Sequence, residues 1–194
     1  MKENESFELL CWHAFREAKP NKEYKKLAKG VVACCGGLPL TLEVIGSSLF
    51  ERSKEEWKSV LLELEKIPKH DVHQKLKISF EGLPNEMEKN LFLDVCYFFV
   101  GKGRSYVTQI LNGCGVDADN GIRILTERSL VQVKKNNKLG MQPLLRVMGR
   151  KIVLEILERA LRNNPPLRFR LDGNYVLSDN TVRNFFVCGF ETSF

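Results

Sequence analysis

The sequence predicts a mostly α-helical fold, in which a four-helix bundle is followed by a winged helix-turn-helix and an irregular C-terminal tail. Four amphipathic segments with short connections fill the first third of the chain, the pattern of a compact helical bundle. Further helical segments, two short β-patterned runs and one more helix then come in the order typical of a winged helix. Beyond Asn163 no clear period is visible.

Length and composition fit a globular protein. The 194 residues suffice for one large domain or two small ones, and a hydrophobic content of 43% argues against a mainly disordered chain. The net charge of +6 is not concentrated in a polybasic tract. An acidic partner is therefore permitted but not required.

The boundaries of the first four predicted helices come from local signals. Ser6 is predicted to cap the first helix, and Pro20 to end it. Gly36-Gly37 ends the second helix, and Pro39 suits the first position of the third because a helix does not need the N–H there. The fourth begins with the capping box Ser53-Lys-Glu-Glu56.

The later part of the chain changes its period twice. Helices are predicted over 72–80, 86–99, 106–111 and 119–128, strands over 130–133 and 138–141, and a last helix over 144–161. Pro68 to Asp71 is predicted to be a hinge. The predicted domains are a bundle over 1–67, a winged-helix domain over 68–162 and a tail over 163–194.

Cysteine usage and hydropathy predict an intracellular protein. The six cysteines form no C-x-x-C pair, and most lie in apolar periodic segments where a thiol packs as a small hydrophobe. No signal peptide is visible, and the longest apolar run, Leu91 to Val100, is too short for a membrane span. A cytoplasmic location is expected, with the nucleus as an alternative.

A metal site is not favoured by the sequence. His70 and His73 have a spacing that could suit a metal, but they lie in the predicted hinge without a third ligand nearby. Structural roles for these histidines are the simpler interpretation, and no metal is predicted.

Several motifs, taken in order, resemble plant disease-resistance receptors of the class with an N-terminal TIR domain. The motifs run from Phe7 to Arg150. Phe7 to Phe15 resembles the segment after the nucleotide-binding subdomain in NB-ARC proteins, and Gly36-Gly37-Leu38-Pro39-Leu40 is similar to their GLPL motif. Leu91 to Phe99 resembles "FLDIACFF", and Gly140 to Leu145 stands where that class has "GMHDLL". Met148-Gly149-Arg150 matches the residues that come after this motif in the family.

The resemblance implies a nucleotide-controlled switch. It implies a four-helix ARC1 subdomain and a winged-helix ARC2 subdomain, which hold ADP against a P-loop subdomain and release it for ATP before a signalling oligomer forms. It places Gly37, Leu38, Pro39 and Leu40 on the adenine side of the nucleotide. It places Gln142 and Pro143 at the His and Asp of the MHD motif, near the phosphate. The tail over 163–194 would then be a degenerate link towards leucine-rich repeats.

Two departures from the family pattern limit what this chain can do. No G-x-x-x-x-G-K-S/T motif is present; the nearest imitation, Gly101-Lys102, has Cys96 at the first glycine position and Gly103 in place of Ser or Thr. No Walker B acidic pair comes after an apolar strand. Phosphoryl transfer depends on these positioning groups, so the chain alone is predicted not to be an enzyme and not to bind ADP or ATP tightly.

The second departure lies in the MHD counterpart. Gln142 cannot carry a positive charge, and Pro143 cannot donate a backbone hydrogen bond. The hypothesis is that even a complete receptor with these residues would hold ADP poorly.

Two other classes of function stay open at this point. A winged helix can bind nucleic acid, and the candidate residues for this are Arg123, Arg128, Lys134, Lys135 and Lys138. Asp117, Asp119 and Glu127 oppose such binding because they repel phosphate. Alternatively, the chain is a regulatory interaction fragment that pairs with a P-loop subdomain, a full-length receptor or further copies in an oligomer.

Overall fold

A computed structural model describes residues 1–18, 20 and 22–163, and within them two compact units. The first unit contains Met1–Pro84 together with Leu125–Leu130. The second contains Asn85–Ile124 and the described residues from Val131 onward. The predicted fold class, mostly helical with a small wing, is confirmed.

The helices and strands occur in the predicted order. The bounds of the elements in the described residues are α1 Glu3–Phe15, α2 Lys25–Cys35, α3 Pro39–Leu49, α4 Lys54–Lys66, α5 Val72–Glu81, α6 Glu86–Asp94, a π-helical turn Val95–Phe99, α7 Arg104–Gly113, α8 Ala118–Glu127, β1 Gln132–Val133, β2 Leu139–Gly140 and α9 Pro143–Asn163.

The core of the first unit is built from the apolar faces of α1 to α5. Phe15 stacks on Trp57 with ring centroids 5.1 Å apart, and Tyr24 meets both rings edge-on. Aromatic pairs in these geometries add stability beyond the area that they bury. Leu10, Leu42 and Ile45 are fully buried beside them.

The predicted cap of α1 is wrong. α1 begins at Glu3 with Lys2 as its N-cap, and the Lys2 N–H donates to the Glu5 carboxylate over 3.0 Å. Ser6 lies inside the helix and is buried, and its hydroxyl has no hydrogen-bond partner among the described residues. The helix also ends earlier than predicted, since Arg16 already takes a left-handed conformation.

The predicted starts of α3 and α4 are confirmed. Pro39 is the first residue of α3. In α4 the Ser53 hydroxyl accepts from the Glu56 N–H over 3.3 Å, and the Glu56 carboxylate accepts from the Ser53 N–H over 2.8 Å. This reciprocal pair satisfies two backbone donors that a helix N-terminus otherwise leaves unpaired.

The predicted helix over 86–99 is helical throughout, but its last five residues are not α-helical. α6 ends at Asp94, and the next five residues form a π-helical turn that is closed by the Val100 N–H donating to the Val95 carbonyl over 3.1 Å. Wider turns of this kind shift the helix face by a fraction of a turn, which apolar periodicity alone does not reveal.

The wing is shorter than predicted but has a third member. β1 and β2 pair antiparallel, with Gln132 opposite Gly140. Residues 101–104 run along the other edge of β2, where the Gly101 N–H donates to the Leu139 carbonyl and the Leu139 N–H donates to the Lys102 carbonyl, each over 2.8 Å. The sequence pattern of this segment indicates only a helix breaker.

The predicted hinge, Pro68 to Asp71, lies inside the first unit, which also contains α5. The domain names given to 1–67 and 68–162 remain predictions. Of the tail over 163–194, only Asn163, the end of α9, falls within the described residues.

Candidate functional site

The turn between α2 and α3 holds the four residues predicted to contact adenine. Gly36 and Gly37 both have left-handed backbone conformations, with φ of 65° and 70°. Leu38 is extended, and its carbonyl accepts from the Leu42 N–H over 3.1 Å. Pro39 then begins α3 and is exposed. Left-handed positions are accessible to glycine at little cost, so this sequence fixes the turn without strain.

α1 packs closely against the buried side of α3. A Cβ added to Gly46 would lie 2.9 Å from the His13 Cβ and 3.1 Å from the Leu10 carbonyl oxygen, so α1 and α3 approach each other at a glycine. Thr41, in the first turn of α3, is fully buried, and its hydroxyl has no partner among the described residues. The exposed Pro39 therefore begins a helix whose inner side is buried against α1.

The two residues predicted at the phosphate end lie in the second unit, between β2 and α9. Pro143 is the first residue of the 21-residue helix α9 and is exposed. Gln142 is only partly exposed, and its carbonyl accepts from the Arg146 N–H over 3.1 Å. The structure thus brings Gly37, Leu38, Pro39 and Leu40 together in one turn and places Gln142 and Pro143 together at the start of one helix.

Asp94 is a titratable group that sequence reasoning did not single out. It is the last residue of α6, at the junction with the π-helical turn. Burial raises the pKa of its carboxyl from 3.8 to about 8. In the sequence, only its apolar neighbours, such as Leu93 and Val95, indicate this shift, because a carboxylate within an apolar run is desolvated when the run is buried.

Residues 85–156 match a known family, described as the winged-helix domain of Roq1-like disease resistance proteins. The match begins at the first residue of the second unit. It contains α6 to α8, both strands and the start of α9.

Three relatives extend the match over most of the chain. The disease resistance protein RPV1 of Vitis rotundifolia is 40% identical over 151 residues, which are 78% of this chain and 11% of the relative. The TMV resistance protein N of Nicotiana glutinosa is 36% identical over 92% of this chain and 15% of the relative. The disease resistance protein RML1A of Arabidopsis thaliana is 35% identical over 76% of this chain and 15% of the relative.

The chain belongs to the plant TIR-NBS-LRR disease-resistance proteins. It spans 11% to 15% of the length of these three relatives. None of their names describes an enzyme.

Two of the candidate nucleic-acid residues have other partners within the described residues. Arg128 is half-buried and donates to the Ser47 and Ser48 carbonyls of the first unit. Arg123 donates to the Asn120 side chain over 2.8 Å. Lys134, Lys135 and Lys138 are exposed on the wing. Of the residues predicted to contact nucleic acid, at least Arg128 is therefore engaged in a contact within the protein.

The two histidines considered for a metal differ in exposure: His70 is exposed and His73 is partly buried. Within the described residues, no three His, Cys, Asp or Glu side chains are grouped to hold a metal ion. Over the same residues, no helix has the length and apolar character needed to cross a membrane.

Proposed function

We propose that this chain is the ARC1–ARC2 part of an ADP/ATP-controlled switch in a plant disease-resistance receptor. ARC1 corresponds to the four-helix bundle and ARC2 to the winged-helix region. The chain would supply contacts to the nucleotide and the moving body of the switch. The phosphate cradle would come from a P-loop subdomain, so this chain alone hydrolyses no ATP.

The observation that carries the proposal is the α2–α3 turn. Pro39 is exposed at the start of α3, two residues after a pair of glycines with left-handed backbone conformations. An apolar proline ring suits one face of an adenine ring, because the proline backbone is already restricted and little conformational freedom is lost on binding. The residues present therefore fit the base of ADP.

The phosphate end fits less well. Gln142 and Pro143 stand at the N-terminus of a long helix, which favours an anion, but Gln142 is neutral and Pro143 has no N–H to donate. An imidazolium at position 142 would add a charge-assisted hydrogen bond that an amide does not provide. We therefore infer a switch that retains ADP weakly and favours exchange.

The test uses this chain fused behind a P-loop subdomain taken from a relative in the family. ADP affinity is measured for the parent fusion and for Pro39→Ala. The variant should bind ADP several-fold more weakly, on the order of 5-fold, because a less rigid and smaller surface replaces the ring.

The control is Pro84→Ala, which changes another exposed proline that lies outside the turn. It should leave ADP affinity unchanged. Equal affinities for the parent and Pro39→Ala would remove the adenine contact from the proposal, and a fusion that binds no ADP would contradict the switch itself.

A further inference from the structure

Six residues within the winged-helix match are part of the first unit. The family match runs over 85–156, yet Leu125–Leu130 pack with Met1–Pro84. We call Leu125–Leu130 the anchor segment. It contains the end of α8 and the turn after it. Two adjacent residues of this segment, Arg128 and Ser129, make polar contacts within the first unit.

Arg128 binds the C-terminal end of α3. Its Nη1 donates to the Ser48 carbonyl and, over 3.5 Å, to the Ser47 carbonyl. The last carbonyls of a helix have no partner within that helix and carry partial negative charge, so a guanidinium both satisfies and stabilises them. The side chain is half-buried, and burial is the main cause that lowers the pKa of the Arg128 guanidinium.

Ser129 makes a second contact with the first unit, and its backbone conformation is unusual for a residue other than glycine. Its φ is 57°, in the left-handed region. The Ser129 N–H donates to the Thr126 carbonyl and the Leu130 N–H to the Leu125 carbonyl, which is the hydrogen-bond pattern of a helix ending that normally places glycine at this position. A serine there costs more than a glycine. The serine hydroxyl, which a glycine would not have, forms a hydrogen bond with the first unit: the Ser129 Oγ lies 2.9 Å from the Ser47 Oγ.

The hydrogen bonds continue into α1. The Ser47 Oγ also lies 3.1 Å from the His13 Nδ1, so one hydroxyl on α3 links the anchor segment with the first helix. Ser47 is almost fully buried. A chain of hydrogen bonds in a buried place is stronger than the same contacts in water, and it favours a single arrangement.

We propose that Arg128 and Ser129 fasten the anchor segment into the first unit and thereby restrain the movement of the winged-helix region during nucleotide exchange. The proposal makes them positioning residues of the switch, acting through α3 rather than on the nucleotide. Its second half, the restraint of exchange, rests on the function proposed above. Its first half, the fastening, concerns this chain alone.

Hydrogen exchange on the full 194-residue chain tests the fastening. Amides over 125–131 are compared in the parent, Arg128→Ala, Arg128→Lys and Ser47→Ala. Ser47→Ala removes the shared hydroxyl but leaves the carbonyl that Arg128 binds, and alanine suits a helix. Both Arg128→Ala and Ser47→Ala should speed exchange over 125–131 several-fold, with α2 and α4 unchanged. Arg128→Lys should fall between Arg128→Ala and the parent because a single ammonium replaces the fork.

Arg123→Ala is the matched control, since it removes a nearby arginine, one that lies within α8 and donates to Asn120. Its exchange over 125–131 should equal that of the parent. Unchanged exchange in Arg128→Ala, or faster exchange spread evenly over α2 and α4, would overturn the fastening.

The restraint is tested in the fusion with a P-loop subdomain. ADP should dissociate roughly 10-fold faster from Arg128→Ala than from the parent, within the usual range of coupling between sites, and at the parent rate from Arg123→Ala. Faster exchange over 125–131 with an unchanged ADP dissociation rate would overturn the restraint. A fusion that binds no ADP contradicts the proposed function instead, and the fastening then stands or falls on the hydrogen exchange alone.

Discussion

Gly149 in α9 and Cys96 in the π-helical turn approach each other so closely that a Cβ on Gly149 would lie 2.8 Å from the Cys96 Sγ. Two hydrogen bonds cross the same place. The Cys96 thiol donates to the Arg146 carbonyl over 3.2 Å, and the Arg146 Nε donates to the Cys96 carbonyl over 3.3 Å. Burial is the main cause that raises the pKa of Cys96, so its thiol keeps the proton that it donates. Within the second unit, α9 and the π-helical turn therefore pack so closely at Gly149 that no larger residue fits there.

Gly149→Ala should destabilise the protein. The added methyl group meets a buried sulfur and the Phe92 ring, and overpacking of this kind costs about 1–3 kcal/mol of unfolding free energy, more than the helix propensity of alanine returns. Urea unfolding followed by circular dichroism measures the change. Gly113→Ala, at the end of α7 with open space around its Cα, is the control and should leave the midpoint nearly unchanged.

Ser53→Ala should weaken the start of α4. The substitution removes the hydroxyl that accepts from the Glu56 N–H, and the loss of such a cap costs about 1 kcal/mol. The melting temperature should fall by a few degrees. Ser59→Ala, at an exposed position within the same helix, should keep or slightly raise it; an equal fall in both variants would show that the cap contributes nothing.

Asp94 should make stability depend on pH. Its folded pKa, about 8, lies above the ordinary value, so the folded protein binds a proton that the unfolded chain has already lost between about pH 4 and pH 8. The contribution of the neutral carboxyl is fully present below about pH 4 and is lost as the pH rises through 8. Stability of the parent should fall across this window.

Asp94→Asn should remove that part of the pH dependence. The amide is neutral at every pH, so the variant should be more stable than the parent at pH 8 by about 1–3 kcal/mol and gain less at pH 5. Chemical unfolding at both pH values measures the difference. Parallel pH profiles for the two proteins would show that the Asp94 carboxyl is ionised in the folded state at pH 5.

The double variant Gln142→His and Pro143→Asp should prolong ADP retention in the fusion with a P-loop subdomain. It restores the residue types of the family motif, and position 143 is the first of α9, where an aspartate is favoured. We expect ADP to be released roughly 5- to 150-fold more slowly, the usual range of coupling. Gln109→His, the same change of side chain on the exposed face of α7, should have no effect. An unchanged release rate in the double variant would remove positions 142 and 143 from the switch.

The sequence predicts those features of the fold that depend on nearby residues. Pro39 at the start of α3 and the pair of Ser53 and Glu56 are predicted correctly because each signal lies within one helical turn. The same kind of signal misleads at Ser6. The residue suits a cap, but Glu5 accepts the Lys2 N–H and so starts the helix earlier.

Features that join distant residues are not predicted. Arg128 is a candidate for nucleic acid in the sequence because nothing local shows that its partner carbonyl, on Ser48, lies 80 residues earlier in the chain. The third member of the wing escapes prediction for the same reason, since residues 101–104 pair with a strand more than thirty positions later. Of the candidate site, the sequence predicts the residues of the α2–α3 turn and the start of α9, while their roles towards a nucleotide remain proposals.

Calorimetry of ADP and ATP binding to two proteins, this chain alone and the same chain fused behind a P-loop subdomain, tests whether the phosphate site lies outside this chain. At about 100 μM protein and excess nucleotide, affinities approaching millimolar are measurable. We expect no heat of binding for the chain alone and ADP binding for the fusion. Micromolar binding of either nucleotide to the chain alone would contradict this expectation, because a phosphate site would then exist within these residues.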